Sequence, residues 1–194
     1  MKGISTPVFL VKFQKGLADR KRLPLAHFIR VLEEVRFMIE EAGREVLVET
    51  GINRPDTDFG LELVAGNDGI VFREGSVQVL IAITNHVQAA TATAERIIGT
   101  IQTLTNMKPS SPTEEIDRQI VRRLNRIAQI QRSDNTELQL VFKYPGEAEH
   151  QTGTFGQSAI ESALTLQTPI FKVENTSRDR DYIAAFDEAY GSEK

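Results

Sequence analysis

The run Leu25-Ala26-His27-Phe28-Ile29-Arg30-Val31-Leu32-Glu33-Glu34-Val35-Arg36-Phe37-Met38-Ile39-Glu40-Glu41-Ala42-Gly43-Arg44-Glu45-Val46-Leu47-Val48 decides how the rest of this chain of 194 residues is read. Leu25, Phe28, Leu32, Val35, Ile39, Ala42 and Val46 recur at alternating three- and four-residue steps, the period that lays one apolar stripe along a helix. Ile29, Val31 and Met38 widen that stripe beyond a coiled-coil seam, so the helix is expected to lie on a sheet or between layers. Glu33, Glu34, Glu40, Glu41, Arg36 and Arg44 take the wet side. Pro24 suits the first helical position, where an N–H is not needed.

On the N-terminal side, Val8-Phe9-Leu10-Val11-Lys12-Phe13 is β-branched and aromatic and apolar on both faces until Lys12, which predicts a strand inside the sheet. On the C-terminal side, residues 51–58 are dense in turn formers. Phe59, Leu61, Leu63 and Ala65 then alternate, Asp68-Gly69 signals a hairpin into Ile70-Val71-Phe72, and Val77, Val79, Ile81 and Ile83 alternate again. This predicts an antiparallel ribbon. A second helix, capped by Thr84 or Asn85, carries Val87, Ala90, Ala94, Ile97, Ile101 and Leu104. Its Ala/Thr-rich start is expected to press against the sheet or a subunit.

A third helix is expected to open on Ser111 as N-cap with Pro112 and Glu114 behind it. Ile116, Ile120, Leu124 and Ile127 form its buried stripe, and Ser133-Asp134-Asn135 ends it. Leu138, Leu140, Phe142 and Tyr144 then alternate with Glu137, Gln139, Val141 and Lys143, the cleanest strand of the chain. Residues 146–156 read as a long polar loop, residues 158–166 as a short helix, Ile170 onward as a strand, and residues 182–190 as helix or strand.

Composition narrows the function classes. There is no cysteine, which excludes disulfides, thiolate catalysis, thiolate zinc sites and iron–sulfur clusters and fits a reducing cytoplasm. Lys12 and Lys15 interrupt the only early hydrophobic run, and no stretch approaches the ~20 apolar residues of a membrane span. The net charge of −4 names no partner. Lys2, Lys12, Lys15, Arg20, Lys21 and Arg22 stand against Asp19 in residues 1–23, while the first long helix and the C-terminus lean acidic. Such a dipolar surface suits self- or hetero-association.

No catalytic, metal or nucleotide motif is complete. His27, His86 and His150 lack metal-site spacing, although His27 and His86, near two helix starts, would meet if both helices begin at one end of the sheet. Glu147-Ala148-Glu149-His150 reads as a solvated loop ahead of a labile cation site. Gly66-Asn67-Asp68-Gly69 and Gly153-Thr154-Phe155-Gly156 lack the strand-to-helix context and companion residues of phosphate loops. Ser158 has no nucleophile-elbow context. Asp134 with Glu137 and Gln139 lacks the basic residue of a nuclease strand. The surface feature with a mechanism is the third helix: Arg118, Arg122 and Arg126 fall on one face, supplemented by Arg123 and Arg132. They suit phosphate contact, or pairing with an acidic helix such as the Glu33–Glu41 face of the same or another subunit. Ordinary solvated arginines are the competing reading.

Gly16-Leu17-Ala18-Asp19, the Arg22-Leu23-Pro24-Leu25 lead into the long helix, Phe59-x-Leu61-x-Leu63 and Gly75-Ser76 together resemble the N-terminal region of uncharacterised bacterial proteins of two-layer α+β type. The resemblance covers the first two-thirds of the chain and implies a fold but no activity, no cofactor and no functional residues.

These readings predict an α+β core in residues 1–145, a mostly antiparallel sheet with the long helix and its companions on one face. Residues 146–194 are expected to form a loop and a small appendage packed on the core or on a partner. The first functional reading is a non-catalytic bacterial cytoplasmic accessory or scaffold protein, self-associating or bound to a partner protein. The second is nucleic-acid association through Arg118, Arg122, Arg123 and Arg126. The third is a small-ligand or nucleotide sensor with its pocket between helices and sheet. An enzyme comes last, because no acid, base and nucleophile assemble.

Overall fold

β1 (Val8–Gln14) is the hub of an antiparallel sheet. The computed structural model describes residues 6–19, 23–52, 59–64, 70–73, 76–107, 116–146 and 150–166. After β1 come α1 (Gly16–Asp19), α2 (Leu25–Glu49), β2 (Leu61–Leu63), β3 (Ile70–Arg73), β4 (Ser76–Ile83), a 3₁₀ turn (Val87–Ala89), α3 (Ala90–Asn106), α4 (Arg118–Asp134), β5 (Glu137–Lys143), β6 (His150–Phe155) and α5 (Gln157–Thr165). β1 lies between β4 and β5, with Val11 opposite Val79 on one side and Leu140 on the other. β6 extends the sheet beyond β5. The fold is α+β, with the long helix and its companions on one face.

Alternation sorts the sheet. Phe9, Val11, Phe13, Val79, Leu140, Phe142 and Phe155 are buried beneath the helices in one continuous core. The opposite face carries Lys12, Gln14, Gln78, Gln139, Thr152 and Thr154, all half-buried. An apolar row, Leu80–Leu10–Val141, crosses that outer face, which is why Val141 is buried although it alternates outward.

The stripe of α2 is rotated from the one expected. Val35, Met38, Ile39 and Ala42 are buried, but Leu32 is only partly so and Leu25 is 71% exposed. The helix is wedged between α3 and α4 as well as over the sheet, so the buried sector shifts toward Val31, Gly43 and Leu47. The Ala/Thr-rich start of α3 is buried at Ala90, Thr93 and Ala94.

Several local expectations change. β2 and β3 do not form a hairpin with each other: both run antiparallel to β4 along the same edge, β2 against residues 81–83 and β3 against 76–79. The ladder to β4 overrides the local turn signal, and residues 65–69 lie outside the described residues. The expected loop 146–156 contains β6, whose Gly153 brings the strand against Ile98 and Ile101 of α3. α3 takes no cap from Thr84 or Asn85; its N-cap is Ala89, and Thr84 and Asn85 instead crowd Gly60. α4 is capped by Asp117, whose carboxylate accepts from the N–H groups of Gln119 and Ile120 at 3.0 and 3.1 Å. The Ser111 start and the readings from Ile170 onward lie outside the described residues.

Candidate functional site

The last turn of α4 and the residues just after it carry three buried polar side chains. Its apolar stripe, Ile120, Leu124 and Ile127, continues onto Gln131 and Asp134, both buried, and Thr136 follows. Asn135 ends the helix in the left-handed region at φ 51°, which asparagine tolerates. The turn after β1 docks on that cap. Lys15 and Gly16 are left-handed too (φ 64° and 52°), and a β-carbon at residue 16 would stand 2.1 Å from the Asn135 carbonyl oxygen.

These contacts frame a cavity of about 890 Å³ between the end of α4, the start of β5 and the outer turns of α5. That volume is within the range of small-molecule sites. Lys15, Arg132, Glu137 and Glu161 supply charge at its walls, and Ile160 and Leu164 supply an aliphatic side. Lys15 donates to Glu137 Oε1 at 2.7 Å, and Gln157 donates to Glu161 Oε1 at 3.1 Å. The Glu137 carboxylate lies over Gly156, where a β-carbon would meet Oε1 at 3.2 Å. Gly156 thus lets the acid approach the N-terminus of α5, the end that favours negative charge.

Gln131 lies in the wall of this cavity, 1% exposed, and among the described residues neither Oε1 nor Nε2 has a hydrogen-bond partner. Its neighbour on the same helix, Asn125, is satisfied by donating to the Ala163 carbonyl at 2.8 Å. A buried polar group left unpaired costs about 1–3 kcal/mol. Among the described residues the Gln131 carboxamide is the buried side chain whose polar atoms are both unmet.

Beside the cavity, His27 Nδ1 lies 2.9 Å from both carboxylate oxygens of Asp134, and Ser133 Oγ lies 3.1 Å from Oδ1. An imidazole paired with a carboxylate is the arrangement that general-base catalysis uses, but among the described residues His27 has no nucleophile bonded to it. His27 and His86 do not come together. Phe28 packs on Phe13 near the end of β1, whereas Ile83, shortly before His86, bonds Pro7 at its start. Asp134 and Glu137 are engaged separately, by His27 and Lys15. His150 is exposed at the start of β6, and Glu147 and Glu149 lie outside the described residues.

The arginine face turns toward its own chain. Arg123, 12% exposed, donates from Nε to Glu41 at 3.0 Å and from Nη1 to Glu34 at 3.0 Å, and its Nη2 also reaches Glu41. Arg126 meets Glu34 at 3.2 Å and Arg122 meets Glu41 at 3.7 Å. Arg118 is exposed and makes no ion pair among the described residues. The Arg123 hydrogen bond holds the Glu41 carboxyl below its ordinary range, and Glu41 in turn raises Arg123. The Arg123 guanidinium also stands 4.9 Å from the Phe37 ring centre. A second node joins α2, α3 and α4: Arg96 reaches Glu45 and Asp117 at 2.5 Å and Glu49 at 2.8 Å. Burial works against its charge, but the bonds to Asp117 and Glu49 prevail and raise it. Burial pushes the Glu45 carboxyl up despite Arg96.

The sequence offers no reading of Gln131 as a site residue and weighs Asp134 only with Glu137 and Gln139, although the stripe Ile120–Leu124–Ile127 leads directly onto Gln131 and Asp134. A polar residue falling on an apolar stripe was the available signal. No family model matches the chain, and neither a curated protein nor a solved structure is significantly similar to it. No helix is long and apolar enough to cross a membrane among the described residues.

Proposed function

We propose that this chain is a non-catalytic cytoplasmic accessory protein that binds a small polar ligand in the cavity walled by α4, β5 and α5. The supporting observation is the cavity itself, about 890 Å³ with charged and aliphatic walls, in whose wall the Gln131 carboxamide is buried with donor and acceptor both unmet among the described residues. The third of the readings drawn from sequence thus moves to the front. Phosphate contact through Arg122, Arg123 and Arg126 would first have to break their pairs with Glu34 and Glu41. The test is ligand-observed NMR on the purified chain with a panel of small metabolites. Binders are expected, and Gln131→Leu should lose them. Retention of every binder by that variant would refute the reading.

Self-association is a second reading, favoured by one observation. Ile29 and Leu63 are about half exposed beside an apolar groove of about 220 Å³ between α2 and the β2 edge, a surface suited to a second copy of the chain. Sedimentation of Ile29→Glu against the parent chain tests it. A monomer in both cases would dismiss it.

A further inference from the structure

β6 ends the sheet on one side, and among the described residues its outer backbone edge has no strand beside it. We infer that a second copy of the chain pairs there, about a two-fold axis passing close to Gly153 of β6 and Gly99 of α3. This contact is independent of the cavity and lies at the opposite end of the sheet from the β2 groove.

The two edges of the sheet are built differently. The far edge is split between β2 and β3, three and four residues long, each with a charged residue, Glu62 and Arg73. Short, charged edges resist pairing with other chains. β6 is His150-Gln151-Thr152-Gly153-Thr154-Phe155, in unbroken register with β5 and without proline, lysine, arginine or an acid. Among the described residues its main chain makes no backbone bond outside that ladder, and Gln102 of α3 donates to the Thr152 carbonyl at a long 3.4 Å. Such an edge is a template for an added strand. The strand complements itself: run antiparallel about Gly153, Thr152 of one copy faces Thr154 of the other, a favourable cross-strand pair. Inward-facing residues then stay opposite inward-facing residues, and no like charges meet.

The helix beneath the strand supplies a second observation. Strands pair about 4.8 Å apart, whereas helices ordinarily pack about 8–10 Å apart. Two α3 helices under the paired strands therefore need an unusually close approach. A β-carbon on Gly153 would stand 3.4 Å from Ile98 and Ile101, which sets Gly99 level with the axis. Gly99 lies in the middle of a 17-residue helix, where glycine is unfavourable, yet a β-carbon there would meet nothing within 4 Å. No contact inside the chain requires that glycine, and a second α3 would. Gln102, three residues on, reaches the β6 edge, so Gly99 lies on the flank of α3 beside that edge. Ala92 and Thr103 are exposed on the same flank, and antiparallel packing about Gly99 sets Glu95 of one copy against Thr103 of the other.

The test is sedimentation velocity on the full chain at up to millimolar concentration, where a reversible dimer is expected. Thr152→Lys/Thr154→Lys and Thr152→Glu/Thr154→Glu should each be monomeric. Their equimolar mixture should restore the dimer, because opposite charges then face each other across the axis. Gly99→Leu should fold, since its side chain enters open space, and should weaken the dimer about tenfold or more. A monomeric parent chain overturns the inference, as does a dimer that withstands both charged variants. So does a mixture that stays monomeric although circular dichroism shows both variants folded. Loss of the dimer in Ile29→Glu alone places the contact at the groove and also refutes it. Should the charged variants not fold, Gly99→Leu decides, and an unchanged dimer refutes the pairing.

Discussion

The ring of Phe59 rests on the bare backbone of Gly43: a β-carbon on that glycine would stand 2.6 Å from the ring's Cδ2. α2 is pinned there to the segment that leads into β2, and both residues are buried. Gly43→Ala gains up to ~1 kcal/mol in helix propensity but forces the ring away at a cost of about 1–3 kcal/mol. Urea denaturation should therefore show a net loss. The loss should shrink in the Phe59→Ala background, because the two positions share one contact.

The rotation of the α2 stripe ranks its core positions. Ile39 is fully buried and Leu32 only partly. Ile39→Ala should cost about 2–5 kcal/mol, and Leu32→Ala clearly less. Equal losses in chemical denaturation would show that the buried face has been misplaced.

Acid stability should depend on Glu41. Its carboxyl is held below the ordinary range by Arg123, so the folded state binds its proton more weakly than the unfolded chain. Its stabilising contribution is full above the ordinary carboxylate range and is lost as pH falls through the depressed value. Glu45, raised by burial, acts with the opposite sign and loses stability as pH rises through its own value. Glu41→Gln should lower stability at neutral pH and flatten the acid limb, with the variant and parent curves converging at low pH. Denaturation midpoints measured across the acid range will show it.

The arginines of α4 should separate by burial. Arg123→Ala leaves Glu34 only Arg126 and Glu41 only the more distant Arg122, and should cost about 1–4 kcal/mol, between the limits for exposed and buried pairs. Arg118→Ala should stay within about 0.5 kcal/mol. Binding of the parent chain to duplex DNA, followed against salt, should not weaken by one counterion for each of Arg118, Arg122 and Arg126 removed. A drop of about one unit in the salt slope per arginine would restore the nucleic-acid reading.

Without ligand, Gln131→Leu should stabilise the chain by about 1–3 kcal/mol, since it removes an unmet donor and acceptor and fills similar volume. Differential scanning calorimetry on ligand-free protein reads this directly. A destabilised variant would mean that the carboxamide has partners in solution, and its orphan status would be withdrawn.

What could be read from sequence follows how local the deciding interaction is. β1, α3 and β5 carry their burial in their own alternation or helical period, so Val11, Ile97 and Leu140 sit as expected. β6 was missed because its inward residues include Gln151 and Gly153, a polar residue and one kept small by α3. β2 and β3 were mispaired because their register is set by β4, not by the Asp68-Gly69 turn signal. The site is the least local feature. His27 and Asp134 lie far apart along the chain, and the wall around Gln131 is assembled from Lys15, β5 and α5.

β1 precedes both of its neighbours in synthesis, and this sets an order of events. Its first residue, Val8, faces Ala82 on one side and Lys143 on the other. Until β5 has left the ribosome, the strand at the centre of the finished sheet is an edge, with Val8, Phe9, Leu10, Val11 and Phe13 open to other chains. Closing those long loops is also entropically slow. Translation arrested before residue 137 would leave a product whose central strand is half paired, a substrate for chaperones and a seed for aggregation, until residues 137–143 cover that edge.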